Sequence, residues 1–196
     1  MPRVPRVTSR VLVGVVLLLG SLLIAACGDQ VDWSAPEDLL IHEKATDRDG
    51  FVELDYWSLI DAPCQRVYEA LIDVEHYPEF IPGVQRVQLL SQTEGSKTVQ
   101  IAQDVIGRQA NAKVEWMFDP QKRDIQFKTL SSDLTYNDGY YKFQESPDKK
   151  RCLVKSLFLV KQAQGMSLGA LGQATRESFL TAARGVKKRA SAPPAG

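Results

Sequence analysis

The chain has 196 residues, with 24 basic and 24 acidic side chains and a formal net charge of zero. This length suits one domain with tails, large enough to bury a sizeable core, and the absence of a basic excess argues against a nucleic-acid partner. The three cysteines and two histidines show no metal-ligand spacing, and the chain has no nucleophile elbow, glycine-rich phosphate loop or HExxH motif.

The first 26 residues have the composition of a secretory signal. Arg3, Arg6 and Arg10 precede the uncharged, apolar stretch Val11–Ala26, which ends in small residues. An uncleaved membrane anchor is the weaker alternative, because the stretch is short of the roughly 18–20 apolar residues that a span needs.

The segment Ile24–Cys27 resembles the bacterial lipobox. The resemblance implies cleavage before Cys27 and a lipid on Cys27, with more than one acyl chain for stable anchoring. Because residues 1–26 hold three arginines and no acid, the mature chain would carry 21 basic and 24 acidic residues. We therefore expect an exported protein of the bacterial cell envelope, periplasmic in a Gram-negative cell; which membrane holds it stays open.

Residues 27–49 are polar and acidic and are predicted to be a tether between the lipid and the domain. A short helix or strand near Pro36–His42 fits the pattern.

A strand, a helix and a broken second segment follow in succession. Val52–Ile60 alternates between apolar and polar residues, which predicts a half-buried strand. Asp61 stands where an N-cap is expected, and apolar residues at helical spacing predict a helix over Pro63–Val74. The prolines within Tyr77–Pro82 then end the helical pattern.

These residues resemble the polyketide cyclase / coenzyme Q-binding START-like family of the helix-grip (SRPBCC) superfamily. The resemblance covers about Phe51 to Arg189. It implies an α+β fold, in which a curved antiparallel sheet wraps around a long C-terminal helix, with two short helices after the first strand and an apolar cavity between sheet and helix. Members usually bind a lipid-like or polycyclic molecule there, and a minority are cyclases. The matching residues are Ile60–Pro63, Val67–Tyr68, Asp73 and Tyr77–Pro82.

Six further strands follow the helical segment. Together with the first strand they predict a seven-stranded antiparallel sheet with one solvent-exposed face. An apolar stripe from Leu168 to Val186 predicts the final helix, opened by Gly165 and Met166. The START-like domain is predicted over residues 50–190, and the Pro/Ala tail 191–196 is expected to be disordered. The predicted strands are Val84–Leu90, Lys97–Ile106, Gln109–Phe118, Ile125–Leu130, Gly139–Glu145 and Cys152–Lys161.

Cys64 and Cys152 remain once Cys27 is assigned to lipid. In the implied fold the end of the first strand lies beside the start of the last, so these cysteines are a disulfide candidate in an oxidising compartment. Two buried free thiols are the alternative.

Aromatic and apolar side chains on the strands and final helix are the candidates for lining a cavity, although the same residues would serve a filled core. Tyr56, Ser58, Thr129 and Tyr141 offer hydroxyl groups to a ligand, and the segment around Phe80 is a candidate lip at the cavity mouth. The candidate ligand-binding residues are Tyr56, Ser58, Phe80, Ile81, Val99, Ile101, Trp116, Phe118, Phe127, Tyr141, Phe143, Phe158 and Phe179.

Groups for acid–base chemistry are few. His76 lies beside Glu79 and could act as a general base, but a surface turn residue is the simpler interpretation. His42 falls in the tether, and Asp104 is expected to face solvent. No catalytic residue, metal or cofactor is predicted.

The sequence thus favours a membrane-anchored, exported binding protein that holds or shuttles a hydrophobic small molecule such as a lipid or quinone. One alternative is a cyclase or hydratase acting on a polyketide-like substrate, which needs acid–base groups inside the cavity. The other is an envelope interaction protein with a filled cavity.

Overall fold

The computed structural model describes residues 31–48, 50–105, 107–134, 136–161 and 167–192. The predicted signal segment, Cys27 and the last four residues lie outside this part. All the elements fall within the unit Trp33–Gly196. They are β1 (Asp38–Arg48), β2 (Phe51–Ile60), α1 (Cys64–Ile72), a 3-10 turn (Val74–His76), α2 (Tyr77–Phe80), β3 (Val84–Gln92), β4 (Ser96–Val105), β5 (Arg108–Asp119), β6 (Asp124–Ser132), β7 (Asn137–Glu145), β8 (Cys152–Lys161) and α3 (Leu168–Ser191).

The strands form a single antiparallel sheet in the order β1-β2-β8-β7-β6-β5-β4-β3. Each strand from β3 to β8 pairs with its neighbours in sequence, and β8 returns to pair with β2. The curved sheet and the long C-terminal helix form the helix-grip fold, as predicted. The core lies between the two: every second residue of β2 from Val52 to Ser58 is buried, and Val52, Leu54 and Tyr56 belong to one core cluster with Leu171 and Phe179 of α3.

The sheet has eight strands, so the prediction of seven was wrong. The additional strand is β1, which comes from the stretch expected to be a tether and pairs with β2 from Asp38↔Leu59 to Arg48↔Phe51. A register irregularity between Asp38 and His42 interrupts the alternation of side chains between the two faces of β1. Its side chains are also largely polar, as is usual for a strand at a sheet edge.

The N-cap prediction at Asp61 was also wrong. Pro63 is the N-cap of α1 and makes no side-chain cap hydrogen bond. Asp61 instead accepts a hydrogen bond on Oδ1 from Arg151 Nε at 2.5 Å, and its backbone N–H donates to Glu37 Oε1 at 2.9 Å. These bonds join the loop before α1 to the start of β8 and to the segment before β1.

A disulfide joins Cys64 and Cys152, with Cα atoms 4.8 Å apart. Cys64 is the first residue of α1 and Cys152 the first of β8, and Cys152 pairs with Ile60 at the end of β2. The bond therefore ties the helical segment to the central part of the sheet.

The helix α3 begins at Leu168, and the predicted opening at Gly165 and Met166 lies outside the described residues. Ser167 is its N-cap and accepts a hydrogen bond from the Ala170 N–H at 3.2 Å. At the other end of the helix, a Cβ at Gly185 would lie 2.2 Å from the Phe80 carbonyl oxygen. Glycine at this position therefore lets α2 approach α3 closely.

Within the described residues, no helix is both long enough and apolar enough to cross a membrane. The same residues contain no group of three or more His, Cys, Asp or Glu side chains that could hold a metal ion.

Candidate functional site

A cavity of about 790 Å³ lies between the concave face of the sheet and α3. Strands β4 to β8 supply one wall, α3 supplies the other, and the segment from Tyr77 to Val84 closes one side. Its volume falls within the ~300–1,000 Å³ range of small-molecule sites. The lining is mostly apolar, and it includes five alanines that leave room in the wall: Ala110, Ala112, Ala170, Ala174 and Ala182.

Six aromatic rings form one continuous group in this lining, which Tyr77 joins through Trp116 at 6.0 Å. Trp116 lies 5.3 Å from Phe127 and is stacked on Tyr141 at 6.4 Å. The Phe158 ring lies 5.8 Å from the Phe127 ring and 5.8 Å from the Phe179 ring of α3. The cavity therefore offers flat apolar surfaces to a ligand from the four adjoining strands β5 to β8, from α2 and from α3.

A glycine in β7 makes this arrangement possible. Gly139 stands between Phe127 and Phe158 in the strand ladders, and a Cβ there would lie 2.7 Å from Phe127 Cζ and 2.1 Å from the Leu157 carbonyl oxygen. The Phe127 ring thus occupies the space above Gly139.

Seven of the predicted ligand-binding residues line the cavity, and the other six lie elsewhere. Those in the lining are Ile81, Ile101, Trp116, Phe127, Tyr141, Phe158 and Phe179. Those that do not line it are Tyr56, Ser58, Phe80, Val99, Phe118 and Phe143.

The two predicted hydroxyl residues of β2 are enclosed by protein. Tyr56 is 1% exposed, with its ring 4.9 Å from Phe179, and burial raises the pKa of Tyr56 to about 12. Ser58 donates its hydroxyl to the Leu39 carbonyl at 2.7 Å, which connects β2 to β1.

The other four residues pack away from the cavity. Val99 is fully buried, and the Phe143 ring lies 5.7 Å from Tyr68 of α1. The Phe80 ring packs on Tyr77 at 5.5 Å, with the Arg189 guanidinium 5.6 Å from its centre. Phe118 is partly buried against the core. The neighbouring residue Ile81, not Phe80, faces the cavity.

Three polar side chains stand deep in the lining. Thr129 is fully engaged, because its hydroxyl donates to the Asn137 carbonyl at 2.8 Å and accepts from the Asn137 N–H at 3.1 Å. Trp116 Nε1 and Asn137 Oδ1 are buried and have no hydrogen-bond partner among the described residues. Such atoms cost about 1–3 kcal/mol each when unsatisfied.

Two tyrosines of the lining keep their protons over the whole physiological range. Burial raises the pKa of Tyr141 far above its usual value. Burial raises the pKa of Tyr77 as well, and its hydroxyl donates to the Leu71 carbonyl at 2.6 Å. Both phenols are therefore neutral groups, able to donate a proton to a hydrogen bond.

Charged residues in the lining are confined to exposed positions. Asp104 of β4 and Glu177 of α3 line the cavity and are both exposed, and Arg176 Nη1 lies 3.5 Å from Glu177 Oε1. Sequence reasoning did not single out Glu177 or Asn137. Asn137 sits just before Gly139 in a strand whose pattern is largely polar, so no local signal marked it.

Neither histidine lines the cavity. His76 Nδ1 lies 2.5 Å from Asp73 Oδ1 at the surface, and this hydrogen bond raises the pKa of His76. His42 is on β1, where its ring lies 4.5 Å from Trp57 and Nε2 is 3.5 Å from Asp55 Oδ2. These positions leave both histidines out of reach of a bound ligand.

A family model described as polyketide cyclase / dehydrase and lipid transport matches residues 60–184. The chain belongs to this family. The match spans the segment from the end of β2 to the last turns of α3, and so includes the elements that enclose the cavity.

Solved structures of START-like proteins share the fold of this family member. The Zhui aromatase/cyclase from Streptomyces sp. R1128 is 21% identical, with a TM-score of 0.63, 71% of this chain and 93% of that chain covered. A START superfamily protein from Mycobacterium smegmatis is 11% identical, with a TM-score of 0.63, and the match covers 70% of this chain and 96% of that chain. A STAR-related lipid transfer protein from Xanthomonas axonopodis is 11% identical, with a TM-score of 0.60, and the match covers 76% of this chain and 99% of that chain. No protein with a curated description matches the sequence.

Proposed function

We propose that this domain binds a hydrophobic small molecule in the cavity between the sheet and α3. The observation that carries the proposal is the cavity itself, about 790 Å³ in volume and lined mostly by aromatic and aliphatic side chains. Burial of apolar ligand surface contributes about 25 cal/mol per Å² before the costs of ordering are subtracted. The family description, which names lipid transport, and a lipid transfer protein among the related folds support the same proposal.

We further propose that the protein holds or shuttles this ligand at a membrane, attached through a lipid on Cys27. The support comes from the lipobox-like segment Ile24–Cys27 and the apolar stretch before it. An acylated N-terminus would keep the domain near a source of sparingly soluble ligands.

Native mass spectrometry of the chain from Gly28 to Gly196 tests ligand binding directly. A reproducible added mass, identified after extraction as a lipid or quinone, would support the proposal and identify the ligand class. An unliganded mass, together with no thermal shift across a panel of lipids, would contradict it.

A cavity-filling variant makes the test specific to the site. Ala112→Phe places a ring in the cavity, since Ala112 lines it and is only partly buried, and we expect the added mass to disappear. Ala45→Phe is the matched control, because Ala45 is exposed on β1 and does not line the cavity. Equal ligand loading of both variants would place the ligand elsewhere.

A second candidate function is catalysis on a polyketide-like substrate. It is favoured by Asp104 and Glu177, the carboxylates in the lining, because such chemistry needs acid–base groups beside the substrate. Turnover that is lost in Asp104→Asn or Glu177→Gln, with binding retained, would support an enzyme. Binding without any turnover would favour the carrier.

The third interpretation, an interaction protein with a filled cavity, lacks support from the geometry. A filled core would leave no space of about 790 Å³ between sheet and helix.

A further inference from the structure

The part of the cavity lining that the structure describes contains no cationic side chain. Among the described residues, no lysine, arginine or histidine lines it, and its charged members are Asp104 and Glu177. A carboxylate or phosphate carried into this space would lose its hydration without gaining a counter-ion. Burying an unpaired charge in an apolar site is strongly unfavourable.

Cations near the cavity lie outside the lining. Arg108 pairs with Val105 at the end of the β4–β5 ladder and is exposed, so it can reach an anionic group only in solvent. Arg176 is engaged by Glu43 Oε2 at 2.9 Å. An anionic ligand group would thus have to remain outside the cavity.

Neutral hydrogen-bonding groups, in contrast, stand deep in the same lining. Trp116 Nε1 and Asn137 Oδ1 are buried without a partner among the described residues. The Tyr141 hydroxyl makes no hydrogen bond within the described chain, and its ring is enclosed by Trp116, Phe127 and Phe158. Tyr141 lines the cavity and is only partly buried.

The strand register places Trp116, Asn137 and Tyr141 near one another on strands β5 and β7, on either side of β6. Trp116 pairs with Phe127, and Phe127 with Gly139, which is two residues from both Asn137 and Tyr141 on β7. The Asn137 backbone is fixed by Thr129, so the amide side chain is the part that can turn toward a ligand. Trp116 Nε1 and Asn137 Oδ1 are covered by protein atoms and have no hydrogen-bond partner among the described residues, so a bond to a ligand would require a change of side-chain conformation.

We propose that the cavity selects an uncharged lipophile whose buried end carries a hydroxyl or carbonyl group, and that it rejects fatty acids and phosphate esters. The oxygen would accept a hydrogen bond from the Tyr141 hydroxyl or Trp116 Nε1, and a hydroxyl would donate to Asn137 Oδ1. This selectivity rests on the proposed function, because it concerns the same cavity.

Retinol and retinoate test the charge discrimination, since they share one carbon skeleton and differ at the terminal oxygen group. The chain Gly28–Gly196 is titrated with each probe, and binding is followed by tryptophan quenching. We expect retinol to bind at least about tenfold more tightly than retinoate, because desolvating the carboxylate has no compensation here. Equal affinity, or tighter binding of retinoate, would overturn the inference and leave the proposed function intact. Failure of both probes to bind would overturn both proposals.

Two variants test the hydrogen bonds. Tyr141→Phe and Asn137→Leu should each weaken retinol binding by about five- to tenfold, the usual effect of losing one hydrogen bond to a neutral group. Tyr140→Phe is the matched control, because Tyr140 is the preceding residue of β7, does not line the cavity and has Lys142 Nζ 5.3 Å from its ring centre. Retinol affinity unchanged in both test variants, with melting temperatures preserved, would exclude these side chains as the contact to the oxygen.

Discussion

Gly139 shows how one residue shapes the cavity wall. Its missing side chain lets the Phe127 ring lie across β7, while the Leu157 carbonyl of β8 occupies the other side of the position. Gly172 of α3 is a useful contrast, because nothing lies within 4 Å of a Cβ built there. The same substitution therefore has opposite expected effects at the two positions.

Gly139→Ala should lower the free energy of unfolding by about 1–3 kcal/mol or more, because the added methyl group overpacks against backbone and ring. Gly172→Ala should raise it by up to about 1 kcal/mol through the higher helix propensity of alanine. Urea denaturation of both variants measures the two changes. A neutral Gly139→Ala variant would contradict the close packing of Phe127 on β7.

His76 gives the protein a small pH dependence at the surface. The hydrogen bond with Asp73 raises the pKa of His76 above its unfolded value. The stability from this pair is therefore fully present below an unfolded pKa of about 6.5 and is lost as the pH rises through the folded pKa. Because both groups are solvent-accessible, we expect less than about 1 kcal/mol.

The measurement is the free energy of unfolding at about pH 6 and about pH 8, in the wild type and in His76→Gln. The wild type should lose more stability than the variant as the pH rises. An identical pH dependence in the two proteins would show that the Asp73 contact contributes nothing.

Among the secondary structure elements, sequence patterns located those that depend on interactions between residues close in sequence. Alternation along Val52–Ile60 and helical spacing after Pro63 located β2 and α1, because each buries one face against the same core. The sequence left the region near Pro36–His42 open between a short helix and a strand and did not predict the full strand β1, because pairing with β2 holds β1 and its own side chains are mostly exposed. Asp61 was misassigned for a related reason: its partner, Arg151, is distant in sequence.

The disulfide is the strongest single link between elements. Cys64 and Cys152 are 88 residues apart, so the bond restricts a long loop in the unfolded chain. Replacing both with alanine should cost about 2–5 kcal/mol of unfolding free energy, as is typical for removal of a native disulfide. Chemical denaturation with and without reductant checks this prediction. Reductant should destabilise the wild type to the level of the double variant and leave the variant unchanged; equal stability of all samples would contradict it.

For the whole molecule, the cavity was the feature that sequence patterns could not resolve. Phe127 and Phe143 are alike in sequence terms, as aromatic residues on alternating strands, yet Phe127 lines the cavity and Phe143 packs on α1. The distinction depends on where α1 and α3 cross the curved sheet. That placement is set by contacts distant in sequence, such as Phe80 against Gly185.

Membrane attachment is a property of the whole chain and stays a prediction. If Cys27 carries the lipid, Cys27→Ser should move the protein from the membrane fraction to the soluble fraction, because acyl chains supply the anchoring energy. Cell fractionation followed by immunoblotting measures the change. Cys64→Ser serves as a control for loss of a cysteine as such, and membrane retention of Cys27→Ser would contradict the proposal.

The open arrangement of the sheet has a consequence for motion. The sheet runs from β1 to β3 without closing, and the described polar contacts of α3 with other elements all pass through side chains, such as Arg176 to Glu43 and Arg189 to Asp73. A pivot of the helix away from the sheet would therefore break no bond of the strand ladder. Amide hydrogen exchange would detect this motion. When ligand binds, the protection of amides in α3 and α2 should rise, while the protection of amides in β2 and β8 should stay unchanged.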